Sequence, residues 1–246
     1  MKKYLYLCEQ NDIMMRKSLL FCVFVILLGV FCVPLRAQSD RAALRDSLKA
    51  ATERLSYHPD SVDLQLRKAS WNMQLEEWTY AKNEYDAVLA RQPYNLAALY
   101  YRAYANTQLH RYSFARLDYE AILRVVPGNF EARLGLALLN QKDQHYTEAL
   151  DGINALVSAC PDSAVAWAAR AGIEKERGLS ELAEYDYGEA LRRDPGNTDW
   201  LLARADLRLK LSRYDEARSD LDRLVALGTP RAALKDMYTR VKKHRR

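Results

Sequence analysis

Few residues in this chain are of a type that does chemistry, and their spacing does not bring them together. Histidine ligates metals and moves protons, but either task needs partners on a shared face. His58, His110 and His145 fall at helix ends or turns, and His244 lies in the tail. Of the four cysteines, Cys8, Cys22 and Cys32 stand in the first 37 residues, which leaves Cys160 alone in the rest of the chain. One thiol makes neither an intramolecular bridge nor a metal-ligand pair. Cys160 precedes Pro161 at a helix end and reads as a small, partly buried residue. There is no H-E-x-x-H, no G-x-G-x-x-G, no P-loop and no C-x-x-C. Acidic residues are abundant, but their places follow a period, as caps or outer-face charges. The expectation is a protein that is not an enzyme and uses no cofactor and no metal.

The period belongs to the elements that carry these residues. Pro59, Pro93, Pro127, Pro161 and Pro195 are spaced by 34, with Pro230 one residue late at 35. Alanine keeps the same period twice, as Ala69, Ala103, Ala137, Ala171 and Ala205, then as Ala81, Ala115, Ala149, Ala183 and Ala217. "RVVPGN" and "RRDPGN" are two copies of one stop and restart. Proline disfavours helical backbone at the residue before it, so a helix ends there. Two residues later stands Ser61, Asn95, Asn129, Ser163 or Asn197, each able to cap the next helix.

With these columns the chain resembles the tetratricopeptide (TPR) repeat family, whose 34-residue unit is a helix–turn–helix. The resemblance implies an all-α superhelical solenoid of helix A/helix B pairs with N- and C-terminal capping helices. It divides the chain into TPR units at 62–95, 96–129, 130–163, 164–197 and 198–230. Residues 38–61 form an N-terminal capping helix, and 231–246 a C-terminal one with a basic tail. Each alanine column would let the two helices of a pair approach closely. Large residues fill the remaining space: Trp78, Tyr112, Tyr146 and Tyr214 ahead of helix B, and Tyr85, Tyr119, Ile153, Tyr187 and Leu221 within it. Thr79, Ser113, Thr147 and Asp215, with Ser180 one position early, are the expected caps of helix B. The family's early tryptophan is present only as Trp167, and its mid-repeat glycine only as Gly178.

A charge pattern runs through the same frame. Lys68, Arg102, Arg170 and Arg204 share one helix-A position, and Glu84, Asp118, Asp186 and Asp220 one helix-B position. The third repeat alone has Leu136 and Gly152 there, so both charges vanish together. This predicts a cross-helix ion pair that belongs to the fold. An exposed pair would contribute only ~0–1 kcal/mol.

The N-terminus differs in character. "SLLFCVFVILLGVFCVPL" (18–35) is uncharged, follows Arg16 and Lys17, and precedes Ala37. A basic start, an apolar core and a small residue describe a secretory signal peptide, here 1–37. The alternative is an uncleaved anchor, since about 18 apolar residues is the lower limit for a span. "MMRK" points to translation starting at Met14 or Met15 in place of Met1, with residues 1–13 upstream of the natural start. The leader holds five basic and two acidic residues, so three of the five net positive charges belong to it.

What remains for function is surface. The resemblance implies a concave wall built from helix A of each repeat, holding a protein or peptide partner. Its usual inner positions map to Leu66, Ser70 and Met73; to Tyr100, Tyr104 and Thr107; and to Leu134, Leu138 and Gln141. They continue as Ala168, Gly172 and Lys175, then Leu202, Asp206 and Leu209, with Lys210 adding charge. The Lys and Asn that grip acidic chaperone tails in some relatives are replaced by Leu66, Tyr100 and Leu134, so that activity is not implied. The expected role is a non-catalytic exported scaffold, periplasmic or secreted. The alternatives are a permanent structural or assembly subunit of a bacterial envelope complex, or an inner-membrane-anchored adaptor. No nucleic acid partner is expected, and a membrane one only if the N-terminal segment is uncleaved.

Overall fold

The computed structural model describes residues 40–244, all organised by helices, with no strand among them. The leader therefore lies outside the described residues. Two compact units divide the chain after Glu84. The first holds α1 (40–57), α2 (Val62–Gln74) and the start of α3 (Trp78–Arg91). The second holds the rest of α3 and the pairs α4 (Leu96–Gln108) with α5 (Tyr112–Val125), and α6 (Phe130–Lys142) with α7 (Tyr146–Ala159). It continues with α8 (Ala164–Glu176) and α9 (Ser180–Arg193), then α10 (Thr198–Lys210) and α11 (Tyr214–Ala226). The C-terminal cap is a 3₁₀ turn over Arg231–Leu234 followed by α12 (Lys235–Lys243), rather than one continuous helix. Leu234 and Val241 anchor it in the core of the last pair.

Both alanine columns are sealed. None of their ten members exposes more than 1% of its surface. The large column fills the space beside them: Tyr85, Ile153 and Leu221 are all but fully buried, and each such side chain contributes roughly 1.5–3 kcal/mol. Between α5 and α6 the fit is tighter still. A Cβ on Gly135 would lie 2.6 Å from the ring of Tyr119, so that ring occupies the space a side chain would need.

The two kinds of turn work differently. From helix B to helix A, the residue before proline leaves the helical region: Val126 at φ −130°, Cys160 at −130° and Asp194 at −126°. The five expected caps all form, with Ser61, Asn95, Asn129, Ser163 and Asn197 each accepting a backbone N–H three residues on. From helix A to helix B the expected caps do not form. Helix B starts at Trp78, Tyr112, Tyr146, Ser180 and Tyr214, so Thr79, Ser113, Thr147 and Asp215 already lie inside it. The residue in the cap position is Arg111, His145, Leu179 or Arg213, with no side-chain cap bond.

The turn is closed instead by backbone bonds that end helix A. Arg111 N–H donates to the Asn106 carbonyl at 2.8 Å, and His110 N–H to that of Thr107 at 3.1 Å, the paired bonds of a Schellman motif. Its left-handed residue is Gly178 in the fourth repeat, but Glu76, His110, Gln144 and Ser212 in the others, at φ between 57° and 63°. Four repeats thus hold a residue with a Cβ where the fourth has glycine.

The charge columns pair within each repeat. Lys68 reaches Glu84 at 2.7 Å, and Arg102 grips Asp118 through two bonds at 3.0 and 2.6 Å. Arg170 with Asp186 and Arg204 with Asp220 repeat that fork. These pairs are not exposed, because the three aspartates are almost entirely buried. Burial pushes the Asp118 carboxyl above its usual range despite the pull of Arg102. Desolvation therefore offsets much of the attraction, as expected of a buried pair.

Candidate binding groove on α6, α8 and α10

Helix A positions repeat, but their sizes do not, and the mismatch makes a groove. Where α6 has Leu134 and Leu138, α8 has Ala168 and Gly172. The small residues of α8, with Ala169, leave a floor between the α6 leucines and Trp200 of α10. Val165 completes the apolar lining, one turn before Ala169. Gln141, Lys142 and Glu176 supply the polar groups of the lining. The groove encloses about 440 Å³, within the range of about 300–1,000 Å³ in which concave ligand sites fall. Its chemistry is apolar contact, with one cation and one carboxylate for orientation.

Of the residues expected on the inner wall, Leu134, Leu138 and Gln141 come together here with Ala168 and Gly172. Others do not join them. Thr107 is buried and its hydroxyl donates to the Ala103 carbonyl at 2.8 Å, so it offers nothing to a ligand. Leu209 is core as well. Tyr100 is half-buried, edge-on to Tyr101 at 5.3 Å and to Tyr119 at 6.0 Å, and burial raises its hydroxyl pKa. It reads as packing more than as surface. Tyr104, one turn on, is 41% exposed. Lys175 and Asp206 neutralise each other at 3.6 Å, and Arg240 adds a second contact to Asp206 at 3.7 Å. Leu202 and Lys210 are exposed. Leu66 and Met73 are half-buried on α2, in the other unit.

Sequence reasoning missed Val165, Ala169, Trp200, Lys142 and Glu176. Trp200 left a legible signal: its column otherwise holds Leu64 and then Ala98, Ala132 and Ala166, the three alanines fully buried, so a tryptophan cannot occupy the space they do. Trp167, the one residue matching the family's early tryptophan, is structural. Its ring lies between the guanidiniums of Arg170 and Arg193, at 4.8 and 4.9 Å, and its N–H donates to the Pro161 carbonyl. Among the described residues, no three His, Cys, Asp or Glu side chains gather as a metal site would require. No described helix is long and apolar enough to cross a membrane.

Consecutive helix pairs with sealed small-residue seams, and a groove lined by the first helices of three successive pairs, define a helical repeat array of the kind that presents surface to other proteins. Residues 108–164 and 173–233 match the family model described as tetratricopeptide repeat, and the chain is a tetratricopeptide repeat protein. No curated protein matches it. Among solved structures it is similar to a tetratricopeptide repeat protein from Parabacteroides merdae, with 25% identity over 83% of this chain and 80% of that one, at a TM-score of 0.68. A thermophilic TPR protein of Thermus thermophilus shares 18% identity over 74% of this chain and 98% of its own, at 0.57. MamA of Desulfovibrio magneticus shares 17% over 68% and 95%, at 0.56. The last two likenesses concern the fold alone.

Proposed function

We propose that this protein is a non-catalytic, exported scaffold that holds an apolar segment of a protein partner in the α6–α8–α10 groove. Proteins of this family generally act as scaffolds for protein–protein contact. The observation that carries the finer reading is the groove itself: Leu134, Leu138, Val165 and Trp200 stand around a floor of Ala168, Ala169 and Gly172. Small residues in the floor admit a partner's side chains, and the large ones around it supply contact area. Export rests on Arg16–Lys17, the uncharged run to Leu35 and Ala37. It puts the mature protein in the periplasm or outside the cell.

Co-purification from the native host tests the groove. Wild-type protein should retain a partner that Val165→Arg loses, with the thermal melts of the two proteins close, because Val165 is 48% exposed at the groove. Retention by Val165→Arg would place the contact elsewhere. Constant recovery with a large membrane complex, insensitive to the groove, would support the permanent-subunit reading instead. Export has its own test, mass spectrometry of the native N-terminus, which should begin near Gln38.

A further inference from the structure

A carboxyl stands where its counterparts in two other repeats donate hydrogen bonds to a buried aspartate. Asn106, Glu174 and Arg208 occupy one helix-A position, each beside the helix-B aspartate of its own repeat. Asn106 lies within hydrogen-bonding reach of Asp118, which it holds down, and Arg208 donates to Asp220 at 2.9 Å. Glu174 meets Asp186 at the same place, also within hydrogen-bonding reach. Amide and guanidinium are donors, whereas an ionised carboxylate is an acceptor only. Glu174 can fill this role only as the neutral acid.

The neighbouring repeat does not relieve it. Position for position, the preceding helix B gives Arg116 to the Asn140 side chain and Glu184 to Arg208. The residue in that place on α7 is Leu150, which has no polar atom to offer. Glu174 is 6% exposed, and its Oε2 has no hydrogen-bond partner. Two charged groups act on it. Asp186 of α9 opposes its ionisation, and Arg170, one turn back on α8 at 3.9 Å, favours it. Arg170 is already committed to both oxygens of Asp186 and to the Asn154 side chain. From α6, α7 and α10, the other helices packed on α8, no charged group is among those that shift Glu174.

We propose that Glu174 and Asp186 share a proton in the native protein, making the α8–α9 joint pH-sensitive. With the proton in place, Glu174 donates to Asp186 as Asn106 and Arg208 do to their aspartates. Without it, two carboxylates face one guanidinium, and α8 loosens from α9. Burial, with Asp186 adding to it, raises the Glu174 carboxyl to about 7, so the proton leaves near neutrality. The native state binds this proton more tightly than the unfolded chain, whose glutamate titrates near 4.5. The stability it contributes is therefore full below about pH 4.5, declines as pH rises, and is gone above about 7. The proposal does not depend on what the groove binds, although α8 forms the groove floor.

Carbon-13 NMR of the full-length protein tests it without any substitution. The Glu174 side-chain carboxyl should titrate near neutrality, whereas titration in the ordinary range of 4 to 5 overturns the proposal. Glu174→Gln provides a second reading, since its amide donates at every pH. At pH 8 the wild-type α8 amides should exchange faster than those of Glu174→Gln, by up to roughly a hundredfold. At pH 5 the two proteins should match. A difference between them that is equal at both pH values would mean that Glu174 has only a packing role.

Discussion

Arg204 of α10 donates twice to the carboxylate of Asp220 on α11, at 3.0 and 2.7 Å, and Arg208 adds a third bond to the same group at 2.9 Å. The pair is built into the seam between two helices, with Asp220 almost fully buried. Its value lies in completeness more than in attraction. Asp220→Ala would strand Arg204, and breaking such a pair costs about 3–5 kcal/mol. Arg204→Leu added to Asp220→Ala imitates the third repeat, where Leu136 and Gly152 stand in these places. Chemical denaturation should show the double variant recovering most of the loss. A double variant weaker than the single one would contradict this reading.

The left-handed residue of each A-to-B turn offers a second test. Gln144 sits at φ 63°, where a Cβ costs roughly 1–2 kcal/mol relative to glycine. Gln144→Gly relieves that strain but frees the unfolded chain by about 0.4–1 kcal/mol, so a net gain of about 0.5–1 is expected. Gly178→Ala should lose a similar or larger amount, because its φ is 77°. Thermal melts of the two variants should move in opposite directions.

Gly135 and Tyr119 make a third prediction. A Cβ at 2.6 Å from a ring that is 3% exposed must displace the ring or the helix. Gly135→Ala should cost about 1–3 kcal/mol. Tyr119→Leu in the same chain, copying Leu221 in the equivalent column, should restore part of it. Loss without restoration would mean that the backbone of α6, and not the ring, sets the limit.

The aromatic cluster gives a fourth. Tyr100 packs edge-on to Tyr101 and Tyr119, so Tyr100→Ala with Tyr104→Ala should destabilise the fold. Full aromatic truncation in a core costs about 3–5 kcal/mol, and the half-burial of Tyr100 reduces the expectation to about 1–3. A melt close to wild type would return both tyrosines to the surface.

These cases also mark how far the chain could be read from its letters. Ser61, Asn95 and their counterparts, and both alanine columns, were legible because each acts on its nearest neighbours through a fixed spacing. The caps expected at Thr79, Ser113 and Thr147 were misplaced because the A-to-B turn closes through backbone bonds, which leave no trace in side-chain type. Only Gly178 advertised that turn, while Glu76, His110, Gln144 and Ser212 adopt its strained backbone unannounced. The groove was half visible. Leu134, Leu138 and Gln141 follow from the family's inner positions, but the opening depends on differences within columns. The small floor of α8 and the outsized Trp200 are such differences, and reading for sameness passes over them. Thr107 was drawn to the surface by its register, although its hydroxyl turns back to the helix.

The groove over α8, proposed as the contact surface, has a direct test in cells. A photo-activated cross-linker placed in cells at Leu138, and separately at exposed Phe114 of α5, compares it with another part of the molecule. Leu138 should give a discrete adduct, lost when Gly172→Trp fills the floor without lowering the thermal melt. An adduct from Leu138 that persists with the groove filled, or one formed only from Phe114, would contradict it.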